Sequence, residues 1–222
     1  MIIIHIMLFT KLFRYVLTTT LRCNIDESHG LSHSMNTLYY ANQIFRDEVL
    51  IRPEIQSQER LIYVSAIIHD MCDKKYTDKS RELVNIERFL GESLKPFEIE
   101  TTTKIISTMP YSYVKIHGFP DMGEYQTAYN IVREADLLTA YDFDRSIIYH
   151  MNNHIVLDLQ TSFHNAKTLF SERVFRHNED GLFFTDYAKK QSIVLHDNAL
   201  QRIWFWKNIL DYETFGFNEK PL

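Results

Sequence analysis

An uninterrupted, largely apolar run, Leu61–Ile68, ends in the adjacent pair His69-Asp70. The run predicts a buried helix over about residues 58–71. An imidazole and a carboxylate at the buried end of a helix are costly to leave unpaired, and a divalent cation is the partner that satisfies both. The sequence therefore points to a metal site at this helix end.

Glycine and proline are scarce, with six and five in 222 residues. This scarcity favours long helices over a many-turned β fold. The length and the 45% hydrophobic content suit one sizeable core. We expect an all-α fold in a single domain over residues 1–222, with a core over about 24–145, C-terminal helices over about 146–210 and a loose tail over 211–222.

Hydrophobic periodicity, capping residues and glycine or proline stops predict the individual helices. Besides the segment 58–71, we expect helices over about residues 26–49, 80–90, 97–108, 125–143, 146–175 and 184–210. The stretch 111–122 predicts a loop, and 176–181 a turn.

Charge, cysteines and the N-terminal segment exclude several classes of protein. A net charge of −5 creates no field for nucleic acid or an anionic membrane, so neither is expected as a partner. The two cysteines form no disulfide framework, which indicates an intracellular, cytoplasmic location. The N-terminal apolar run precedes its cations and lacks a cleavage signal, which disfavours a signal peptide. We expect an amphipathic helix through about Leu21 that packs on the domain, or a mobile extension.

Two further ionisable side chains fall on predicted helix faces. His33 shares a face with His29, one turn earlier, and Asp136 interrupts the apolar face of the helix over 125–143. The structural alternatives are an ordinary helix histidine for His33, a cap pair for the adjacent histidine and aspartate, and an ion pair with Arg133 for Asp136. Together these positions favour a metal site, and spacing alone does not prove which side chains hold the ion.

The order His, His-Asp, Asp resembles the HD-domain metal-dependent phosphohydrolase superfamily. Three segments look like its small nucleotide-hydrolysing bacterial branch: Asp26–His33 (DESHGLSH), Ala66–Lys75 (AIIHDMCDKK) and Ile131–Ala140 (IVREADLLTA). The resemblance covers roughly Asp26 to Asp142. This chain departs from that branch beside the ligands, at the positions Gly30, Glu134, Leu137 and Thr139.

The resemblance implies an HD-type helical bundle that presents four ligands to one divalent ion: His33, His69, Asp70 and Asp136. Mixed imidazole and carboxylate ligands suit Mn, Fe, Co, Ni, Mg or Zn. It also implies that Asp73 orients or deprotonates the attacking water. We expect Lys74, Lys75 and His29 to meet the substrate phosphate, with the holding of a metal-bound water as the alternative for His29. The expected substrate is a phosphate ester or anhydride of a small molecule of the nucleotide class, and homo-oligomerisation is left open.

Other interpretations of the same residues remain. A non-catalytic regulatory module would keep the cation without turnover. A di-iron HD oxygenase would need extra histidines, for which His117 is the candidate, although its expected companion is missing. Asp73 would be an ordinary loop carboxylate if it paired with Lys75, and the two lysines would then only complement the helix dipole.

Overall fold

The computed structural model describes the chain over residues 2–153 and 158–216. It is 82% helical, without strands in the described ranges, which confirms the predicted all-α fold. Ten α-helices follow one another: α1 Ile2–Cys23, α2 Leu31–Ile51, α3 Glu59–Ile68, α4 Lys79–Leu90, α5 Pro96–Thr108, α6 Tyr111–His117, α7 Gln126–Thr139, α8 Phe143–Asn153, α9 Leu159–Glu172 and α10 Asp186–Gly216. Short 3₁₀ turns join several of them.

Helix α3 lies at the centre of the fold because its residues 61–68 are buried on every side. It packs between α2 and α7 on one side and α1 and α5 on another. One apolar cluster continues from α2 and α7 to α9 and α10, and a second contains residues of α1, α4 and α5. The helix bearing the predicted metal site is therefore held from several directions.

The N-terminal helix packs on the domain, which is one of the two arrangements expected from the sequence. Leu8, Leu12 and Val16 recur at helical spacing on α1 and are all buried, in the same cluster as residues of α3. Within the described ranges, no helix combines the length and apolarity required to cross a bilayer.

Two helices predicted near the site have different boundaries in the structure. The helix expected over 26–49 is divided at Gly30 into a 3₁₀ turn, Glu27–His29, and α2. The turn forms because the Asp26 carboxylate accepts a hydrogen bond from the Ser28 amide at 2.8 Å. The helix expected over 58–71 tightens at its end into a 3₁₀ turn, His69–Cys72.

Other differences lie in the second half of the chain. Part of the loop expected over 111–122 is helix α6, which begins directly after Pro110, whose fixed φ suits a helix start. The helix expected over 125–143 ends at Thr139, and α8 starts within it at Phe143. Four residues of the helix expected over 146–175, at 154–157, lie outside the described ranges. The tail expected to be loose over 211–222 is helical to Gly216, and its remainder lies outside the described residues.

Candidate metal centre

Four polar side chains from three parts of the fold meet at one point. His33 comes from α2, His69 and Asp70 from the 3₁₀ turn after α3, and Asp136 from α7. His33 Nε2 lies 3.0 Å from His69 Nε2, 3.0 Å from Asp70 Oδ2 and 3.4 Å from Asp136 Oδ1. His69 Nε2 lies 3.3 Å from Asp70 Oδ2 and 3.5 Å from Asp136 Oδ1. The structure thus brings together all four residues expected to be ligands.

Burial is graded across this group. The two imidazoles are almost fully buried, whereas the side chain of Asp70 is 14% exposed and that of Asp136 is 28% exposed. The group therefore opens to solvent on the side of Asp136. Asp70 Oδ2 is itself buried and lies 3.0 and 3.3 Å from the imidazole nitrogens of His33 and His69, outside regular hydrogen-bond geometry. A cation shared with these imidazoles would satisfy the buried carboxylate oxygen.

The spacing of the donor atoms fits a shared cation. Ligands held about 2.1 Å from one ion lie about 3.0 Å apart at a right angle and about 3.4 Å apart at a tetrahedral angle. The five distances given above run from 3.0 to 3.5 Å. The donor atoms of His33, His69 and Asp136 are also mutually within 4.8 Å. These side chains would hold a divalent ion without rearrangement of the helices.

The tautomer of His69 is favourable for metal binding. Its Nδ1 lies 2.9 Å from the carbonyl oxygen of Ala66, so this nitrogen donates the hydrogen bond. In the neutral form of the ring, this tautomer presents a lone pair at Nε2, toward the other three side chains. A backbone carbonyl behind the ring is a common way to orient a ligating histidine.

Burial and the contacts among these side chains act in opposite directions on their ionisation. Burial alone raises the pKa of Asp70 and Asp136, but the two imidazoles outweigh burial and hold both pKa values well below the usual range. Burial likewise lowers the pKa of His69, but Asp70 and Asp136 more than offset it and raise that pKa well above its usual value. Both carboxylates therefore remain ionised in the protein.

Arg145 of α8 lies against the outer side of His33, a contact that was not predicted from the sequence. Its Nη1 contacts His33 Nδ1 and lies 3.1 Å from His33 Nε2. The pKa of His33 is lowered, first by burial and then by this guanidinium. Because a guanidinium can only donate, Arg145 would have to withdraw from Nε2 when that nitrogen binds a cation.

Two residues expected to meet substrate lie at the rim of the centre. The His29 ring lies 6.0 Å from the His33 ring and 5.7 Å from the Tyr149 ring. Lys75 Nζ stands 5.2 Å above the ring of Tyr149. Tyr76 fixes His29, with its hydroxyl 3.1 Å from His29 Nδ1. Lys74 is exposed next to Lys75.

Asp73 follows the 3₁₀ turn that carries two of the ligands. Its amide donates to the carbonyl of Asp70 at 3.1 Å. Its carboxylate accepts a hydrogen bond from the backbone amide of Lys75 at 2.9 Å, a contact that stabilises the local turn. The second carboxylate oxygen of Asp73 takes no part in the hydrogen bond from Lys75. Its role toward water remains a prediction.

His117 and Arg133, the residues behind the two competing interpretations, make other contacts. The exposed His117 packs on Tyr113, with ring centroids 4.5 Å apart, and is not among the grouped ligands of the described residues. Arg133 does not neutralise Asp136 through a direct ion pair within those residues. Its Nη1 instead donates to the carbonyl of Leu182 at 2.8 Å, and its guanidinium lies 4.7 Å from the centre of the Phe119 ring.

A cleft of about 430 Å³ adjoins the outer side of His33 and Arg145. Its wall includes the neighbouring rings of Tyr39 and Tyr40, 5.2 Å apart, and the side chains of Asn36, Asn198 and Arg202. Aromatic faces beside amide groups suit a flat ligand that carries hydrogen-bonding edges. None of these cleft residues was selected from the sequence, because they lie on α2 and α10 without a local motif.

No family model matches the chain, and no curated protein matches it. Among solved structures, the fold is similar to the crystal structure of a Lactobacillus plantarum protein that was a structural-genomics target. The similarity has a TM-score of 0.67 and 17% sequence identity, and covers 91% of this chain and 96% of that chain. At this level of identity the similarity concerns the fold alone.

Proposed function

We propose that this protein is a metal-dependent phosphohydrolase of the HD type, acting on a small phosphorylated substrate of the nucleotide class. The observation that carries the proposal is the convergence of His33, His69, Asp70 and Asp136 from three parts of the fold, with donor atoms 3.0–3.5 Å apart. The order of these residues along the chain is the order in which the HD superfamily presents its ligands.

A bound divalent ion would polarise a phosphoryl oxygen and lower the pKa of a coordinated water. The residues of the chain supply the remaining functions. Asp73 would accept the proton of the attacking water, as a carboxylate adjoining the ligand turn. His29 and Arg145 lie beside His33, and Lys75 lies over the Tyr149 ring next to His29. These side chains would face the charge that develops on the phosphoryl oxygens.

The cleft beside His33 supports a substrate larger than phosphate. Its volume of about 430 Å³ is within the range of small-molecule sites, roughly 300–1,000 Å³. The exposed ring of Tyr39 offers a stacking face for a nucleobase, and Asn36 and Asn198 offer amide groups for its edges. A nucleotide would then place its phosphate at the metal and its base in the cleft.

The proposal is tested by a metal-supplemented screen of nucleotides and phosphate esters for phosphate release. Asp70→Ala is the blank, because it removes a ligand, and Asp197→Ala is the matched control on the exposed face of α10. We expect one equivalent of metal and turnover in the unaltered protein and the control, and neither in Asp70→Ala. Bound metal without phosphate release from any compound would support the regulatory module instead, and absence of metal from the unaltered protein would refute both.

A further inference from the structure

A second group of basic side chains lies beside the metal centre and is not used by the proposed mechanism. Arg133 of α7 is 1% exposed and His177, after α9, is fully buried. Arg133 Nε and Nη2 and both ring nitrogens of His177 have no hydrogen-bond partner. Arg173, at the end of α9, is only partly buried and lies 4.2 Å from the centre of the Tyr111 ring.

Several contacts place these three side chains near one another. Arg133 donates to the carbonyl of Leu182, and the amide of Leu182 donates to the carbonyl of His177 at 3.0 Å. The Tyr111 ring, on which Arg173 stacks, lies 6.1 Å from the His177 ring. The pKa of His177 falls to about 3, first because of burial and then because Arg173 and Arg133 are near. Asp136 also acts on the pKa of both arginines. The group therefore adjoins the metal centre, one helical turn away along α7.

Within the described residues, no acidic side chain forms an ion pair with Arg133 or Arg173. Glu134, the nearest in sequence, is fully occupied, since its carboxylate accepts from the amides of Phe184 and Thr185 at 2.8 and 3.1 Å and from the Thr185 hydroxyl at 2.6 Å. Arg133 retains one hydrogen bond, to a backbone carbonyl. A buried guanidinium with unused donors is unfavourable for stability, and an anionic ligand would satisfy it.

We propose that Arg133, Arg173 and His177 form a subsite for a second phosphate group of the substrate. Guanidinium groups match phosphate in charge and in donor geometry, and a neutral imidazole adds one donor. Arg173 and Asp136, both partly exposed, mark the entrance from the metal centre. The inference rests on the proposed function and makes it more specific: the substrate carries a phosphate anhydride, with one phosphate at the metal and the next in this subsite.

The test is calorimetric titration of the full chain with inorganic pyrophosphate and, separately, orthophosphate, in buffer containing EDTA. Arg173→Gln removes one cation of the subsite, and Arg176→Gln is the matched control, because Arg176 is exposed and pairs with Asp180. We expect pyrophosphate to bind the unaltered protein at least tenfold more tightly than orthophosphate. Arg173→Gln should lose at least tenfold in pyrophosphate affinity, and Arg176→Gln should stay within about twofold.

Equal weakening by both substitutions would show non-specific attraction and overturn the subsite. So would unchanged binding by Arg173→Gln, or an unaltered protein that binds no pyrophosphate. Arg133→Met serves as a second variant if Arg173→Gln does not fold, and it should show the same tenfold loss. Because these titrations use neither metal nor turnover, their outcome is separate from the phosphate-release screen that tests the hydrolase.

Discussion

Acidification should destabilise the protein through His177, whose ring is completely buried. Its pKa is about 3 in the folded protein, because of burial and then the charges of Arg173 and Arg133. In the unfolded chain it should be near 6.5. Between these two values the unfolded chain binds a proton that the native protein does not, so the free energy of unfolding falls as the pH falls. By about pH 4.5, two units below the unfolded value, the loss is on the order of 3 kcal/mol.

That loss is a large share of a typical stability of about 5–15 kcal/mol. His177→Phe should remove it, because an aromatic ring of similar size fits against Tyr111, Tyr141 and Phe183 and carries no titrating group. The assay is urea unfolding of both proteins, followed by circular dichroism, in metal-free buffers from about pH 7 to about pH 4.5. The unaltered protein should lose on the order of 3 kcal/mol more than His177→Phe across this interval.

The chosen interval isolates the histidine. Most aspartates of the unfolded chain stay ionised above about pH 4, and the metal ligands titrate alike in both proteins, so their contributions cancel in the difference. Parallel curves for the two proteins would refute the reasoning. They would mean that the native imidazole of His177 takes up a proton as readily as the unfolded one, and is therefore not enclosed among arginines.

Further substitutions separate catalytic, binding and structural roles. Asp73→Asn should keep the cation and lower kcat by about 10²–10⁴-fold, measured beside metal content; full metal with unchanged kcat would leave Asp73 as a turn residue. Lys74→Ala and Lys75→Ala should raise KM at constant kcat in steady-state assays, and a fall in kcat alone would contradict ground-state contact with phosphate. Glu134→Ala should lower the free energy of unfolding by about 2–4 kcal/mol in urea, because the donors of residues 184–185 lose a buried acceptor; a change below about 0.5 kcal/mol would contradict that role.

The fold class was predictable because long periodic segments and few glycines or prolines leave little choice but helices. The helix boundaries were less predictable where local geometry decides them. Gly30 divides a helix because the preceding residues form a capped 3₁₀ turn, and α6 forms in a segment whose glycines and Pro120 suggested a loop. Such short elements depend on tertiary contacts and capping more than on periodicity.

The grouping of the four polar ligands was predictable for a different reason. His69, Asp70 and Asp136 stand out from apolar surroundings in the sequence, and His33 is identified by their order. Arg145, Arg173 and His177 had no such signal, because charged residues outside a periodic apolar face look like solvent-exposed ones. Only the packing of α8 and α9 shows that they turn toward the centre.

The attachment of residues 184–185 to Glu134 has a consequence for how this chain could be shortened or inherited. The stretch over 24–145 resembles an independent unit in sequence, yet its helix α7 carries the Glu134 carboxylate, whose donors are residues 184–185, directly before α10. A chain truncated before residue 182 would retain that carboxylate in an apolar interior without donors. The C-terminal helices are therefore a structural requirement of the segment bearing Asp136, and the two regions should have been acquired and lost together.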